Sequence, residues 1–193
     1  AASTAGTGSS KGRVGAGCPA VWGVARLAAW RCHHVTLSAA AAPLGGQFHL
    51  AGLQPRRGQI TDLISWYDRQ LTRLGVDVRL NTYMDADDIK CEGADRVVLA
   101  TGSKPTETGF QKALPHLAHL PGIEHGHVWS AEDGMARRAR LGEEVIVLDE
   151  GGNWRGCGTA WRLAEDGHRV TLVTPDPMVG KELQRSATDL HLR

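Results

Sequence analysis

The chain has 193 residues, 41% of them apolar and 22% charged, with a formal net charge of +1. Those proportions allow one ordinary packed domain, or one and a fraction, and exclude a nucleic-acid-binding basic stripe or an acidic tail. No apolar run approaches the ~20 residues of a membrane span, and the small, polar N-terminus lacks the apolar stretch of a secretory signal.

Residues 1–13, AASTAGTGSSKGR, are expected to be a disordered leader. Ala25 to Trp30 are good helix formers, and Val35 to Leu37 form a short strand. The glycine-bearing stretch APLGGQFHLAG reads as a loop. Beyond it, Ile60, Leu63, Ile64, Tyr67, Leu71 and Leu74 recur at three- and four-residue steps and predict one apolar helix face. Gly75 is placed to end that helix, and Val76, Val78 and Leu80 alternate as a strand. DADDIK reads as a short helical turn, and Arg96 to Ala100 as a strand ending in a Thr-Gly turn. Residues 106–142 are a linker rich in Pro, Gly and His, with one weak helix from Ala131 to Leu141. A strand at 145–148, a helix at about 157–166, a strand at 169–173 and a loop-like tail from 175 complete the chain. Two β-α-β runs predict an α/β protein of Rossmann-like type with mainly parallel sheets. The expected division is a leader at 1–13, a first nucleotide-binding half at 14–105, the linker, and the start of a second such domain, truncated, at 143–193.

Gly15 to Ala20, GAGCPA, fits G-x-G-x-x-A, a permitted form of the dinucleotide fingerprint. Gly15 would allow the tight turn after a strand, Gly17 close approach of backbone to a pyrophosphate, and Ala20 close packing of helix on sheet. A lone match of this kind is weak. The strand before it offers only Val14 as an apolar residue, and the acid expected after the second strand to bind ribose is missing, with Ser38, Ala39 and Ala40 in its place.

Two further stretches, LGGQF from Leu44 to Phe48 and VVLATGSKP from Val97 to Pro105, follow in the order a flavin-type dinucleotide domain requires. With RLGVDVRLNT, LPGIEHGHVWSAED and GHRVTLVTPDPMVGKEL, they make nearly all of residues 12–185 resemble the C-terminal FAD/NAD(P)-binding region of the NADH:flavin oxidoreductase family, which includes 2,4-dienoyl-CoA reductase and trimethylamine dehydrogenase. The resemblance implies FAD, or ADP in its place, on the first half. Gly15, Gly17 and Ala20 would hold the pyrophosphate, Gly45, Gly46 and Gln47 would contact the flavin dinucleotide, and Ala100, Thr101 and Gly102 would close over it. It also implies a TIM-barrel domain, absent from this sequence, that carries FMN, a 4Fe–4S cluster and the substrate site. The chain is then a fragment of a flavin-dependent oxidoreductase that serves electron transfer or structural support and is not active alone. The family reads P-A-G after its second glycine, where this chain has Cys18-Pro19-Ala20. The alternative is a decayed, non-catalytic α/β module with a structural or interaction role.

The second β-α-β run, Val145 to Val173, carries Gly151, Gly152, Gly156 and Gly158 off the usual spacing. Asp149 and Glu150 stand at its strand end, where a pyrophosphate would be repelled, and Thr174-Pro175 offers ribose no acid. NAD(P)H is therefore expected to bind there weakly at best.

Cys18, Cys32, Cys91 and Cys157 contain no C-x-x-C and read as reduced thiols of a cytoplasmic protein. His116, His119, His125 and His127 lie in the linker without a carboxylate cage and read as a solvated loop rather than a metal site. The basic run ARRAR reads as a solvated helix face, and Trp154 is the tryptophan expected near a ligand. No nucleic acid or membrane partner is expected.

Overall fold

The computed structural model describes residues 11–15 and 19–186, the first five and last two as backbone. The described residues up to His49, with Gln59–Ser103, form one compact unit, and Leu50–Gly58 with the described residues from Lys104 onward form a second.

In the first unit, strand β1 (Lys11–Gly15) leads to helix α1 (Pro19–Trp30) and strand β2 (His34–Ser38). Lys11–Arg13 are thus part of a strand and not of a leader; the rest of the expected leader, 1–10, lies outside the described residues. Proline at the first position of α1 suits a place whose N–H has no helical partner. Helix α2 (Gly46–Gly52), whose last three residues are counted with the second unit, comes next in sequence, then α3 (Gln59–Arg73), β3 (Asp77–Arg79), α4 (Ala86–Cys91) and β4 (Arg96–Leu99). The stretch expected to be a loop therefore contains a seven-residue helix. Its first turn closes when Phe48 N–H donates to Gly45 O at 2.8 Å. The remaining residues, Gln, Phe, His, Leu and Ala, all tolerate a helix.

The four strands are parallel in the order β3-β2-β1-β4. Val35 and Leu37 of β2 pack with Val21, Trp22 and Ala25 of α1, Leu71 of α3, Leu44 and Val76. Trp22 is fully buried, with its ring 5.4 Å from that of Tyr67 and 6.4 Å from that of Phe48. The predicted face of α3 is real at Ile60, Ile64, Tyr67, Leu71 and Leu74. Leu63, off that line, is 40% exposed. Gly75 ends the helix with φ of 69°, and Val76 N–H reaches back to Leu71 O, a left-handed cap. Asp85 and Asp88 form a reciprocal capping box at the start of α4.

In the second unit, Ser130 caps helix α5 (Ala131–Met135). This helix stops well short of Leu141, because Arg137 turns left-handed and Arg138 N–H returns to Asp133 O. Strand β5 (Glu144–Leu148), helix α6 (Trp154–Glu165) and strand β6 (Arg169–Val173) then form a parallel βαβ unit. A turn of 3-10 helix at Lys181–Ser186 replaces part of the expected loop tail. The run ARRAR is not simply solvated: Arg137 pairs with Asp166 and Arg138 with Asp133, each at 2.8 Å. Segment Leu50–Gly58 belongs to this unit through Gln54, whose Nε2 donates to Trp154 O at 2.7 Å, and through Leu53 O, which accepts from Arg162. Among the described residues no helix is long and apolar enough to cross a membrane.

Leu71→Ala is expected to cost about 2–5 kcal/mol, as buried leucine truncations do. Leu63→Ala should stay within about 1 kcal/mol, in the range of exposed positions. Urea unfolding of both variants checks this, and equal losses would show that the α3 face is misassigned.

Candidate functional site

The strand order places a switch point in the first unit. The chain moves from β1 outward through β2 to β3, then crosses to β4 on the other side of β1. In open parallel sheets, ligands are held outside the carboxyl ends of the strands at such a point. Gly15 ends β1 there, level with Ser38 of β2 on one side and Leu99 of β4 on the other. Gly17 lies outside the described residues.

Two loops frame this end. Gly45 and Gly46 have φ of 122° and 47° and lead into α2. Ala100, Thr101 and Gly102 continue β4, with Gly102 at φ of 78°. Gln47 joins the loops: its Nε2 donates to Ser103 O at 2.6 Å and lies 3.4 Å from Ser103 Oγ. Seven of the predicted residues thus lie at the carboxyl end of one sheet: Gly15 at the end of β1, Gly45, Ala100, Thr101 and Gly102 on the loops after β2 and β4, and Gly46 and Gln47 in the first turn of α2.

Their duties differ. Gly45 is buried, and a Cβ there would meet His49 Cβ at 2.9 Å and Ile64 Cδ1 at 3.0 Å. Its missing side chain serves internal packing as well as the turn. Gly46, Gln47, Thr101 and Gly102 are exposed. Ala20 is exposed too, so it does not provide the close helix–sheet contact expected of it; Val21, Trp22 and Ala25 do. No Asp or Glu stands in 39–49 or 99–103. The carboxyl ends of these parallel strands therefore carry no side-chain carboxylate in either loop. At the end of β2, Ala39 N–H donates to Arg79 O and its carbonyl accepts from Thr82 N–H. Ala40 is exposed, with no carboxylate for a ribose.

The turn of the second unit is built in the opposite way. Asp149 follows β5 and is 4% exposed. Its Oδ1 accepts from Gly151 N–H at 3.0 Å and Gly152 N–H at 3.1 Å. Glu150 accepts from the N–H groups of Lys112 and Ala113 at 2.6 and 3.0 Å. Asn153 caps α6 by accepting from Arg155 N–H. Burial, with the nearby Asp149 charge and hydrogen bond, pushes the Cys157 thiol up to about 11. Gly158 leaves room for Gln54, whose Cδ would lie 2.7 Å from a Cβ. Trp154 lies under the Arg57 guanidinium, 4.8 Å from its ring centre. Sequence reasoning saw Asp149 and Glu150 only as repelling charges. The pattern Asp-x-Gly-Gly is nonetheless the signature of an Asx turn, in which a carboxylate accepts N–H groups two and three residues on. Ser103 and Gln54 left no signal, since each acts through a partner distant in sequence.

No family model matches the chain. Among curated proteins it is 38% identical over 163 residues to N,N-dimethylglycine/sarcosine dehydrogenase of Chromohalobacter salexigens, covering 84% of this chain and 23% of that protein. It is 38% identical over 149 residues to cinnamate reductase of Clostridium sporogenes, covering 77% and 20%. Among solved structures, 6-hydroxypseudooxynicotine amine oxidase of Pseudomonas geniculata N1 matches with a TM-score of 0.86 at 28% identity, covering 97% of this chain and 28% of that one. The chain therefore spans about a quarter of the length of these relatives.

The thiols give a direct check on the second turn. The thiolate is the reactive form, so a raised pKa and burial both protect a cysteine. Alkylation at neutral pH, mapped by mass spectrometry, should label the exposed Cys32 and Cys91 and spare Cys157 until denaturant is added. Labelling of Cys157 at the rate of Cys32 would contradict the described turn.

Proposed function

We infer the function of this chain from one premise: it belongs to the NADH:flavin oxidoreductase family. On that footing it is the dinucleotide-binding part of a flavin-dependent oxidoreductase, with FAD, or ADP in its place, on the first unit. The observation that carries this reading is the carboxylate-free set of loop donors at the switch point of a parallel sheet. Gly15 and the backbone after it would take the pyrophosphate. Gln47, held by Ser103, would fix the Gly45–Gly46 turn against the Ala100–Gly102 turn, so that both face the bound dinucleotide. A bound flavin supplies the redox chemistry, and the protein groups bind and orient it.

The substrate site is assigned to a barrel domain elsewhere in the full-length protein, with FMN and a 4Fe–4S cluster. This chain then supports assembly or passes electrons, and it turns over no substrate alone.

Calorimetric titration of the chain with FAD and with ADP tests the reading. Saturable one-to-one binding of at least one of them is expected, and heat from neither overturns it. Ala40→Glu is expected to tighten that binding by roughly ten- to a hundredfold. The new carboxylate can accept from ribose hydroxyls, and charge-assisted hydrogen bonds are worth about 1.5–3 kcal/mol. Equal affinities for the parent and Ala40→Glu would remove the ribose from the end of β2.

A further inference from the structure

We infer that the second βαβ unit carries its own anion: the Asp149 carboxylate occupies the seat that the glycine turn would otherwise offer to a phosphate, and Asp149 is the residue that closes this unit to nicotinamide dinucleotides. In a nucleotide-binding βαβ unit the diphosphate lies between the end of the first strand and the first turn of the helix. Backbone N–H groups hold it, and a residue without a Cβ lets it approach.

Each of those provisions is present here and is used by the protein itself. Asp149 stands directly after β5. It takes the N–H groups of Gly151 and Gly152 on one carboxylate oxygen. The other oxygen lies 3.6 Å from Cys157 Sγ, in the first turn of α6. The approach site on the helix is Gly156. A Cβ there would lie 2.2 Å from Asp149 Cγ and 2.4 and 2.6 Å from its two oxygens. The space left by the missing side chain of Gly156 is filled by a carboxylate of the same chain. A dinucleotide entering this turn would find two N–H donors already engaged and a buried negative group in its way, with Glu150 next to it.

Glycine at 156 is thereby explained without a ligand. A glycine that serves a bound phosphate can be replaced when the phosphate is absent; one that serves a resident carboxylate cannot. The other glycines of the turn have their own duties: Gly151 and Gly152 donate their N–H groups to Asp149, and Gly158 makes room for Gln54.

The test compares thermal unfolding of the whole 193-residue chain, three single variants and one double variant, with and without millimolar inorganic pyrophosphate at matched ionic strength. Asp149→Asn keeps an oxygen for the two N–H groups, so it should melt near the parent and respond to pyrophosphate as the parent does. Asp149→Ala empties the seat. It should melt lower and regain at least half of the lost Tm in pyrophosphate, because a ligand that binds only the folded state stabilises it. Binding at the first unit is common to all forms, so the difference between Asp149→Ala and the parent isolates this turn. That difference survives even if the first unit binds nothing. Gly156→Ala should lower Tm in the parent and much less in the Asp149→Ala background. The inference is overturned if Asp149→Ala gains no more from pyrophosphate than the parent does, including the case where it fails to fold in either buffer. It is also overturned if Gly156→Ala costs the same Tm in both backgrounds.

Discussion

Main-chain pairing of Lys11–Gly15 along both edges sets the geometry of the first unit. β1 bonds to β2 on one side and to β4 on the other. A strand buried in a parallel sheet is ordinarily a run of Val, Ile and Leu. This one reads Lys-Gly-Arg-Val-Gly. Its place in the middle is fixed by two hydrogen-bond ladders and by the apolar residues of its neighbours, Val35 and Leu37 on β2. Because the register holds Gly15 opposite both Ser38 and Leu99, β1, β2 and β4 end at one level. The Gln47–Ser103 contact depends on that level.

The two βαβ units meet the same electrostatic demand with opposite solutions. Backbone N–H groups at a tight glycine turn must find acceptors. In the second unit the acceptor is internal, so the turn is complete as folded. In the first, the loops at the switch point hold no acid, and residues 39–47 and 100–103, apart from Ala39, Leu44, Gly45 and Ala100, face solvent. One βαβ unit can therefore complete its turn from within while the other leaves its strand-end loops without an internal carboxylate. The glycine content of a turn does not separate the two cases; the charge at the strand end does.

What could be read from the sequence was whatever rests on local periodicity and local capping. The face of α3, the left-handed Gly75, the helical turn at DADDIK and the strand-helix-strand order of both units follow from side-chain spacing and from residues within a turn of one another. Features that depend on distant partners could not be read. LGGQFHLAG has three glycines and looks like a loop, yet the short helix forms because its first turn closes on Gly45 O. Leu63 fits the helical period but falls just outside the stripe that meets the core. Ala20 matches a fingerprint position, yet the burial lies one and two residues further on, at Val21 and Trp22. Segment 50–58 sits between two elements of the first unit in sequence and belongs to the second, which no pattern within it reveals.

That last feature bears on how the chain is made. Gln54 leaves the ribosome 100 residues before Trp154, and Leu53 leaves 109 residues before Arg162. At typical synthesis rates Gln54 waits about 5–20 s for its partner. The first unit has all its strands by Leu99, so it can close while Leu50–Gly58 is still a loop without a home. Pro55, Arg56 and Arg57 suit that interval, since proline and paired charges disfavour pairing with other nascent chains. The same arginines later lie over Trp161 and Trp154. The two arginines thus gain their aromatic partners only once the second half of the chain has been made.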